Sequence, residues 1–335
     1  MRLLSLSEGT QAASSKLPGR KPLSNCWEAS VGKLVPFENI DRLLNVEIRP
    51  DGLPQGVMQR AYDVARGAGE PLVYQAAKEL DSVEGTIGFL TGVHFPPHFV
   101  MGEIDGPIGT VVLGNVLGAL GHRTEVLVED HLVPLITALS QKGGGHVKAL
   151  PASSVTVDQV VAAWSALVSI ERIGVAEDGQ RHTIVGTPFE GGYTFGDAIV
   201  EGMNAAGKPT IGLGDGGNEI GFGKVLESIG RASPHPDAWT TTATKHVLPV
   251  CVSNLGAYGI ATSLAVLHER LDLVPTARQV EDLIRLANSM GCLDGGTVDP
   301  DFIGDDGIPM VGIAAYIDLM GVIARQHFNP NDRHF

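Results

Sequence analysis

The sequence predicts an α/β fold built on a mostly parallel, twisted sheet, and three observations predict it. From Thr86 onward, short runs rich in apolar and β-branched residues alternate with apolar-periodic stretches of helical length. Glycine, at 43 of 335 residues, has roughly twice its usual share and falls at the junctions of these segments without a fixed period. Carboxylates recur just past the ends of the expected strands, which is where open parallel sheets bind ligands.

Residues 31–80 read as packing helices, with Phe37, Ile40, Leu43 and Leu44 on one apolar stripe and Leu72, Ala76, Ala77 and Leu80 on another. A turn at 51–54 separates them, and Arg49 and Arg60 beside it could face an anionic ligand, though a solvated or salt-bridged role is the better reading. Strands are expected at 86–91, 125–128, 147–150, 167–170, 210–213 and 247–252. The helices between and after them are expected at 107–120, 132–140, 157–164, 195–206, 219–229, 257–268, 276–290 and 311–325. Pro107 suits the first turn of its helix, since its missing N–H has no intrahelical partner there. Strands spaced by helices of this size favour right-handed crossovers, helices on both faces and a Rossmann-like layered architecture, with the site at the strand carboxyl ends. Residues 1–28 read as a loosely ordered arm and 29–335 as a single large α/β domain.

Composition narrows the function. Lys and Arg number 24 against 38 Asp and Glu, a formal charge of −14, which repels nucleic acid and anionic membranes in the absence of a basic patch. Hydrophobic residues at 43% are enough for a substantial core. Cys26, Cys251 and Cys292 are odd in number and far apart, so neither a disulfide framework nor a zinc finger is indicated. No apolar run approaches the roughly 18 residues of a membrane span. The first 27 residues, rich in Ser, Lys and Arg with Glu8 the single acid, lack the apolar core of a secretory signal. A cytoplasmic protein is the expectation, or one of an organellar matrix if the arm is a transit peptide. A homo-oligomer is left open.

The chain is organised around residues 212–224, Gly-Leu-Gly-Asp-Gly-Gly-Asn-Glu-Ile-Gly-Phe-Gly-Lys. Glycines at 214, 216 and 217 permit positive φ and close approach of a ligand to the backbone, while Asp215, Asn218 and Glu219 supply oxygens. Taken alone, the pattern also describes a sharp turn with Asp215 or Asn218 capping a helix. Other strand ends carry acids as well: Glu103 and Asp105 after the first, Glu129 and Asp130 after the second, Glu171 with Arg172 after the fourth. A further strand ends at Ser253-Asn254. Carboxylates with one amide, and no cysteine or histidine at ligand spacing, suit a hard divalent cation such as Mg²⁺ or Mn²⁺. A cation would also relieve the mutual repulsion of several acids in one crevice. The Gly/Asp-rich stretch 291–307, with Asp294, Asp299, Asp301, Asp305 and Asp306, lacks the register of a calcium hand and reads as a loop. His182 is the one histidine of interest, and it reads more readily as a surface residue. No nucleophile elbow or Walker A loop is present, and dinucleotide binding is a weak reading.

Residues 214–225, together with Glu103-Ile-Asp-Gly-Pro107, Ile170-Glu-Arg-Ile-Gly174 with Asp178-Gly179, and Val252-Ser-Asn254 with Gly256 and Tyr258, resemble the signature of the D-glutamate cyclase family. The resemblance runs in motif order from about Phe37 to Met320. The chain departs from the family pattern at Ile104, Ile108, Gln180-Arg181 and Leu255, where a Thr, a Pro, an Asn with an aromatic, and a Trp are expected. The resemblance implies a hydro-lyase that converts D-glutamate to 5-oxo-D-proline and water with a divalent metal ion. In that frame Glu103, Asp105, Asp215 and Glu219 are the expected metal ligands, and Glu219, Asp215 and Glu171 the expected catalytic acids and bases. Arg172 is expected to pair with the α-carboxylate of an acidic amino-acid substrate, which Asn218, Ser253, Asn254, Gly216 and Gly217 help to hold. Two other classes share such a crevice: a Mg/Mn-dependent hydrolase or phosphatase, and a non-catalytic amino-acid or metal-binding protein.

Overall fold

The computed structural model describes residues 25–50, 52–189 and 195–328, so the expected arm lies almost wholly outside the described residues. Packing divides the chain after Lys33, and the sheet, the core and the crevice all belong to the larger unit that begins at Leu34. Three helices precede the sheet: α1 (Asn25–Leu44), α2 (Val57–Arg66) and α3 (Leu72–Asp81). Asp41 joins them. Its carboxylate accepts from the Tyr62 hydroxyl at 2.7 Å and from the backbone N–H groups of Leu72 and Val73 at 2.6 and 3.1 Å. Pro71 precedes α3 and has no side-chain cap to offer, so the acid of α1 satisfies the first free donors of α3 from outside. Burial nonetheless outweighs those bonds and pushes Asp41 up to about 6.

The α/β alternation follows: β1 (Thr86–Thr91), α4 (Pro107–Ala119), β2 (Arg123–Val128), α5 (Val133–Gly143), β3 (Val147–Pro151), α6 (Val157–Ala163) and β4 (Trp164–Ile170). A two-residue hairpin, β5 (Arg181–His182) with β6 (Pro188–Phe189), then leads to α7 (Phe195–Ala205), β7 (Thr210–Gly214), β8 (His246–Pro249) and α8 (Ser253–Leu267). The chain closes with α9 (Ala277–Ser289), a second hairpin of β9 (Gly304–Asp305) and β10 (Ile308–Pro309), and α10 (Met310–Phe328). The six long strands form one parallel sheet in the order β3-β2-β1-β4-β7-β8. Alternate residues face opposite layers. Phe89, Val126, Val128, Val168 and Ile170 join the large core with α4 and α8, while Leu90, Leu127 and Leu167 meet residues of α6 and α7. The Trp164 ring lies directly on Gly88, where a Cβ would come within 1.9 Å of it. No helix among the described residues is long and apolar enough to cross a membrane.

Three expected elements differ. The helix expected at 219–229 does not form; turns occupy it instead. Its backbone is drawn into tertiary bonds, with Ile220 N–H donating to the Arg172 carbonyl and Gly221 N–H to the Thr242 carbonyl, both at 2.8 Å. Gly221 adopts φ 121°, and Phe222, Val225 and Leu226 pack with Trp239 and α2, so side-chain burial does not require a helix. The last sheet strand is shorter than expected, and α8 starts at Ser253 rather than residue 257. The reason for that early start lies in the site.

Candidate functional site

The sheet order places a reversal of winding between β1 and β4, and chains leaving the two strands there open a crevice at their carboxyl ends. A cavity of about 230 Å³ occupies this crevice. Its lining combines polar groups, Glu103, Glu171, Asp215, Asn218, Glu219, Asp306 and Arg49, with apolar ones, Val93, Phe95, Phe99, Ile173 and Ile184. A larger cavity of about 340 Å³ beside α4, α5 and α9 gathers no set of converging acids. Its charged pair, Lys142 with Asp282, is solvent-exposed, so the chemistry belongs to the smaller cavity.

Most of the acids are held by donors from distant parts of the chain, and one is held by its own loop. Asp105 accepts from the backbone N–H groups of Gly106, Ser253 and Asn254 at 2.9, 2.9 and 2.6 Å. It therefore caps α8 across the sheet, which is why that helix can begin at Ser253. Asp215 accepts from Ser253 N–H at 3.2 Å and pairs with the Arg49 guanidinium. Glu171 accepts from the Ser253 hydroxyl at 2.6 Å. The Glu219 carboxylate turns back into its own loop, accepting from the N–H groups of Asp215, Gly216 and Gly217 at 3.1, 2.7 and 2.7 Å. That is an anion nest made by the glycine-rich turn. Asp306 reaches the same guanidinium at 3.0 Å. Glu171 and Asp306 both sit in the left-handed region, at φ 53° and 50°, which for side-chain-bearing residues is strain of the kind that clusters at functional sites.

Burial and mutual repulsion then act on the charges. Burial, with Asp215 and Asp305 nearby, pushes Glu103 up to about 8. Burial and Asp215 push Glu219 up to about 7, against the backbone bonds that favour its charge. Burial also raises Asp305, to about 8, and lifts Asp105, Glu171 and Asp306 well above the usual carboxylate range. Such a set is protonated in part or neutralised by a cation.

The profile of the family described as D-glutamate cyclase-like, C-terminal, matches residues 64–318, most of the chain. The chain belongs to the D-glutamate cyclase-like family. Among curated proteins, "D-glutamate cyclase, mitochondrial" of Homo sapiens is 30% identical over 215 residues, 56% of this chain. The aligned part spans 33% of that relative, so the chain corresponds to about a third of its length. Three of the places where this chain departs from the family pattern lie off the cavity wall. Gln180 is exposed, the Arg181 guanidinium pairs with Asp197, and Leu255 is fully buried in the core. None of the three is placed to touch a molecule in the cavity.

Of the residues the sequence singles out, Glu103, Glu171, Asp215, Asn218 and Glu219 line the cavity together, with Asp105 and Ser253 immediately behind them. Others have different partners. Arg172 does not face the cavity: its guanidinium donates to Glu129 at 2.8 Å and to the Gly92 carbonyl at 3.3 Å. Glu129 is thereby committed to Arg172, and Asp130 accepts from Ser153 on the exposed side, so the end of β2 contributes no acid to the site. Asn254 is a structural bolt, accepting from Gly106 and Gly109 N–H and donating to the Ile104 carbonyl and Asp305. Gly216 and Gly217 direct their N–H groups at Glu219 rather than at a ligand. Neither Asp215 nor Asn218 caps a helix. His182 is buried, not superficial; its carbonyl accepts from the Asn218 amide at 2.8 Å and so orients that side chain.

The structure also brings to the site residues that the sequence reading left outside it. Arg49 is the one Lys, Arg or His side chain among the described residues lining the cavity. Asp305 and Asp306 arrive from the Gly/Asp-rich loop beside Asp294, whose carboxylate accepts from Gly307 N–H. A run of five aspartates in a glycine-rich stretch was the available signal.

The donor set fits a hard divalent cation. Asp105, Asp215 and Asp306 offer oxygens within 4.8 Å of one another, and so do Glu171, Asp215 and Glu219, with Asp215 common to both groups. All are carboxylates, the ligands Mg²⁺ and Mn²⁺ prefer. Asp305 Oδ1 is buried without a hydrogen-bond partner, a further sign that the cluster's charge is uncompensated.

Proposed function

We propose that this crevice catalyses the metal-dependent cyclisation of D-glutamate to 5-oxo-D-proline and water. One observation carries the reading: acids from the ends of β1, β4 and β7 meet one arginine in a small cavity that is also lined by apolar side chains. Family membership supports it, and the human relative carries that activity in its name. A substrate with two carboxylates and a short methylene chain matches both kinds of lining. Phosphate esters match less well, since the cavity sets a single cation against many acids.

Asp105, Asp215 and Asp306 are the residues that would hold the cation. When bound, it supplies Lewis-acid polarisation of a carboxylate and charge neutralisation. The apolar lining of Phe95, Phe99 and Ile184 presses the methylene chain so that the amine meets the γ-carboxyl carbon. In the reaction the ammonium gives up two protons, an N–C bond forms at the γ-carbon, and one C–O bond breaks as that oxygen leaves as water. Glu171 is the group we assign to take the ammonium proton, and Glu219 the group that delivers a proton to the departing oxygen. Burial and the neighbouring Asp215 push Glu219 up from the ordinary carboxylate range, which favours its protonated form and suits proton donation.

The test is turnover of D- and L-glutamate by metal-stripped protein with Mn²⁺ or Mg²⁺ restored, followed as loss of the primary amine. The expected result is 5-oxoproline from the D isomer only, and only with metal. In Asp215→Asn, turnover falls by at least about 10²-fold with the fold retained, the scale for loss of a group that stabilises charge at the reacting centre. Near-normal turnover by that variant removes Asp215 from the mechanism.

A further inference from the structure

Arg49 has a place that the cyclase reading alone does not use. It sits on the segment joining α1 to α2, outside any helix or strand. Its Nη1 lies between Asp215 Oδ1 and Asp306 Oδ2, two of the three acids of one candidate metal cluster. The guanidinium thus stands on oxygens that a divalent cation would need. The two positive charges compete for those carboxylates: an Mg²⁺–O bond is roughly 2.0–2.1 Å long, and a guanidinium on the same oxygens would repel the cation.

The guanidinium also has somewhere to go. Arg49 borders a second, small space with Glu47, Gln55, Met58 and Cys251 as well as the main cavity. Its Nε has no hydrogen-bond partner, so part of the fork is uncommitted. Gly52, at φ 103°, lets the guanidinium lie against the bare backbone, since a Cβ there would stand 2.8 Å from Nη2. The substrate, for its part, brings an α-carboxylate that needs a cation, and Arg172 is already engaged with Glu129.

We infer that Arg49 is the crevice's resident counter-ion and exchanges with the divalent cation: the metal takes Asp215 and Asp306, and the released guanidinium takes the substrate's α-carboxylate. This rests on the reading of the crevice as a metal-dependent amino-acid site. It makes Arg49 a substrate-binding residue whose availability depends on metal loading, so metal and amino acid bind in order. A planar guanidinium fork suits both partners, since it grips carboxylates by two parallel hydrogen bonds.

The experiment is Mn²⁺ titration of metal-stripped wild type, R49Q and R49K, by calorimetry and by the electron paramagnetic resonance signal of free Mn²⁺, with KM for D-glutamate measured alongside. Removing a competing charge at this range should tighten Mn²⁺ binding in R49Q by roughly tenfold or more, while KM rises by about tenfold or more. R49K, charged but without the fork, should bind Mn²⁺ within about threefold of wild type and still show the raised KM. Unchanged or weaker Mn²⁺ binding by folded R49Q overturns the exchange. Should R49Q not fold, R49K decides: weaker metal binding or an unaltered KM overturns it. Mn²⁺ binding that follows this pattern without D-glutamate turnover keeps the metal exchange and removes the cyclase reading. Absence of Mn²⁺ binding by wild type removes both.

Discussion

Gly217 shows how much a single position can carry at this site. Its φ of 90° lies where only glycine is comfortable, and a Cβ would stand 2.4 Å from the Trp239 ring. Its N–H is also one of three that hold Glu219. Gly217→Ala is therefore expected to destabilise the protein by about 2–4 kcal/mol, combining backbone strain with overpacking. Urea denaturation checks this, and a loss under about 0.5 kcal/mol, the range of an inert substitution, would show that the turn relaxes freely. The need for glycine here was readable from the local pattern. The ring that enforces it was not, because Trp239 is 22 residues away and reaches the turn only through tertiary packing. Arg49 was legible as a salt-bridged residue, but its partners were not, for the same reason. Nothing in its own neighbourhood announces that it meets acids from two distant loops.

Elements show the same division between local and tertiary causes. The strands and most helices follow apolar periodicity and were legible, because burial on one or both faces of a sheet imposes that periodicity directly. The start of α8 was not, since its cap is Asp105, on the far side of the switch point. The Gly/Asp-rich loop read as a loop and is one, apart from its two-residue strands. Its part in the site depends on Asn254, which bonds Asp305 and the chain around Gly106 at once. Asn254→Ala leaves the buried N–H groups of Gly106 and Gly109 without that acceptor. The expected cost is about 2–4 kcal/mol, one to two buried donors left unpaired. Metal affinity should fall together with stability, since the Gly106 segment next to Asp105 and the Asp305 carboxylate next to Asp306 lose their shared support. Chemical denaturation and Mn²⁺ titration on the same preparation check both, and normal metal affinity in a destabilised variant would separate the loop from the site.

At the scale of the whole molecule, the acids that make the crevice chemically useful oppose folding when no cation is bound. Glu103 and Asp305 are pushed up to about 8 and Glu219 to about 7, in each case chiefly by burial. In the unfolded chain these groups return to the ordinary range of about 4. Between pH 4 and pH 8 the folded state therefore binds more protons than the unfolded state, and stability must fall as pH rises. The contribution is complete below about pH 4 and is lost as pH climbs through 7 and 8. Other carboxylates, such as Glu79, held below its usual value by Lys245 and His246, have the opposite slope, but theirs is exhausted by about pH 5. From pH 6 to pH 8 the site acids dominate, and metal-stripped protein should lose on the order of 3 kcal/mol, a fall of several degrees in Tm. Saturating Mn²⁺ should reverse the trend, since the cation binds the deprotonated acids and its affinity grows as they ionise. Calorimetric Tm at pH 6 and pH 8, with and without Mn²⁺, decides it. A metal-free Tm that is flat or rises with pH would mean that Arg49 and the backbone donors already balance the acids, and that the crevice does not need a cation to stay folded.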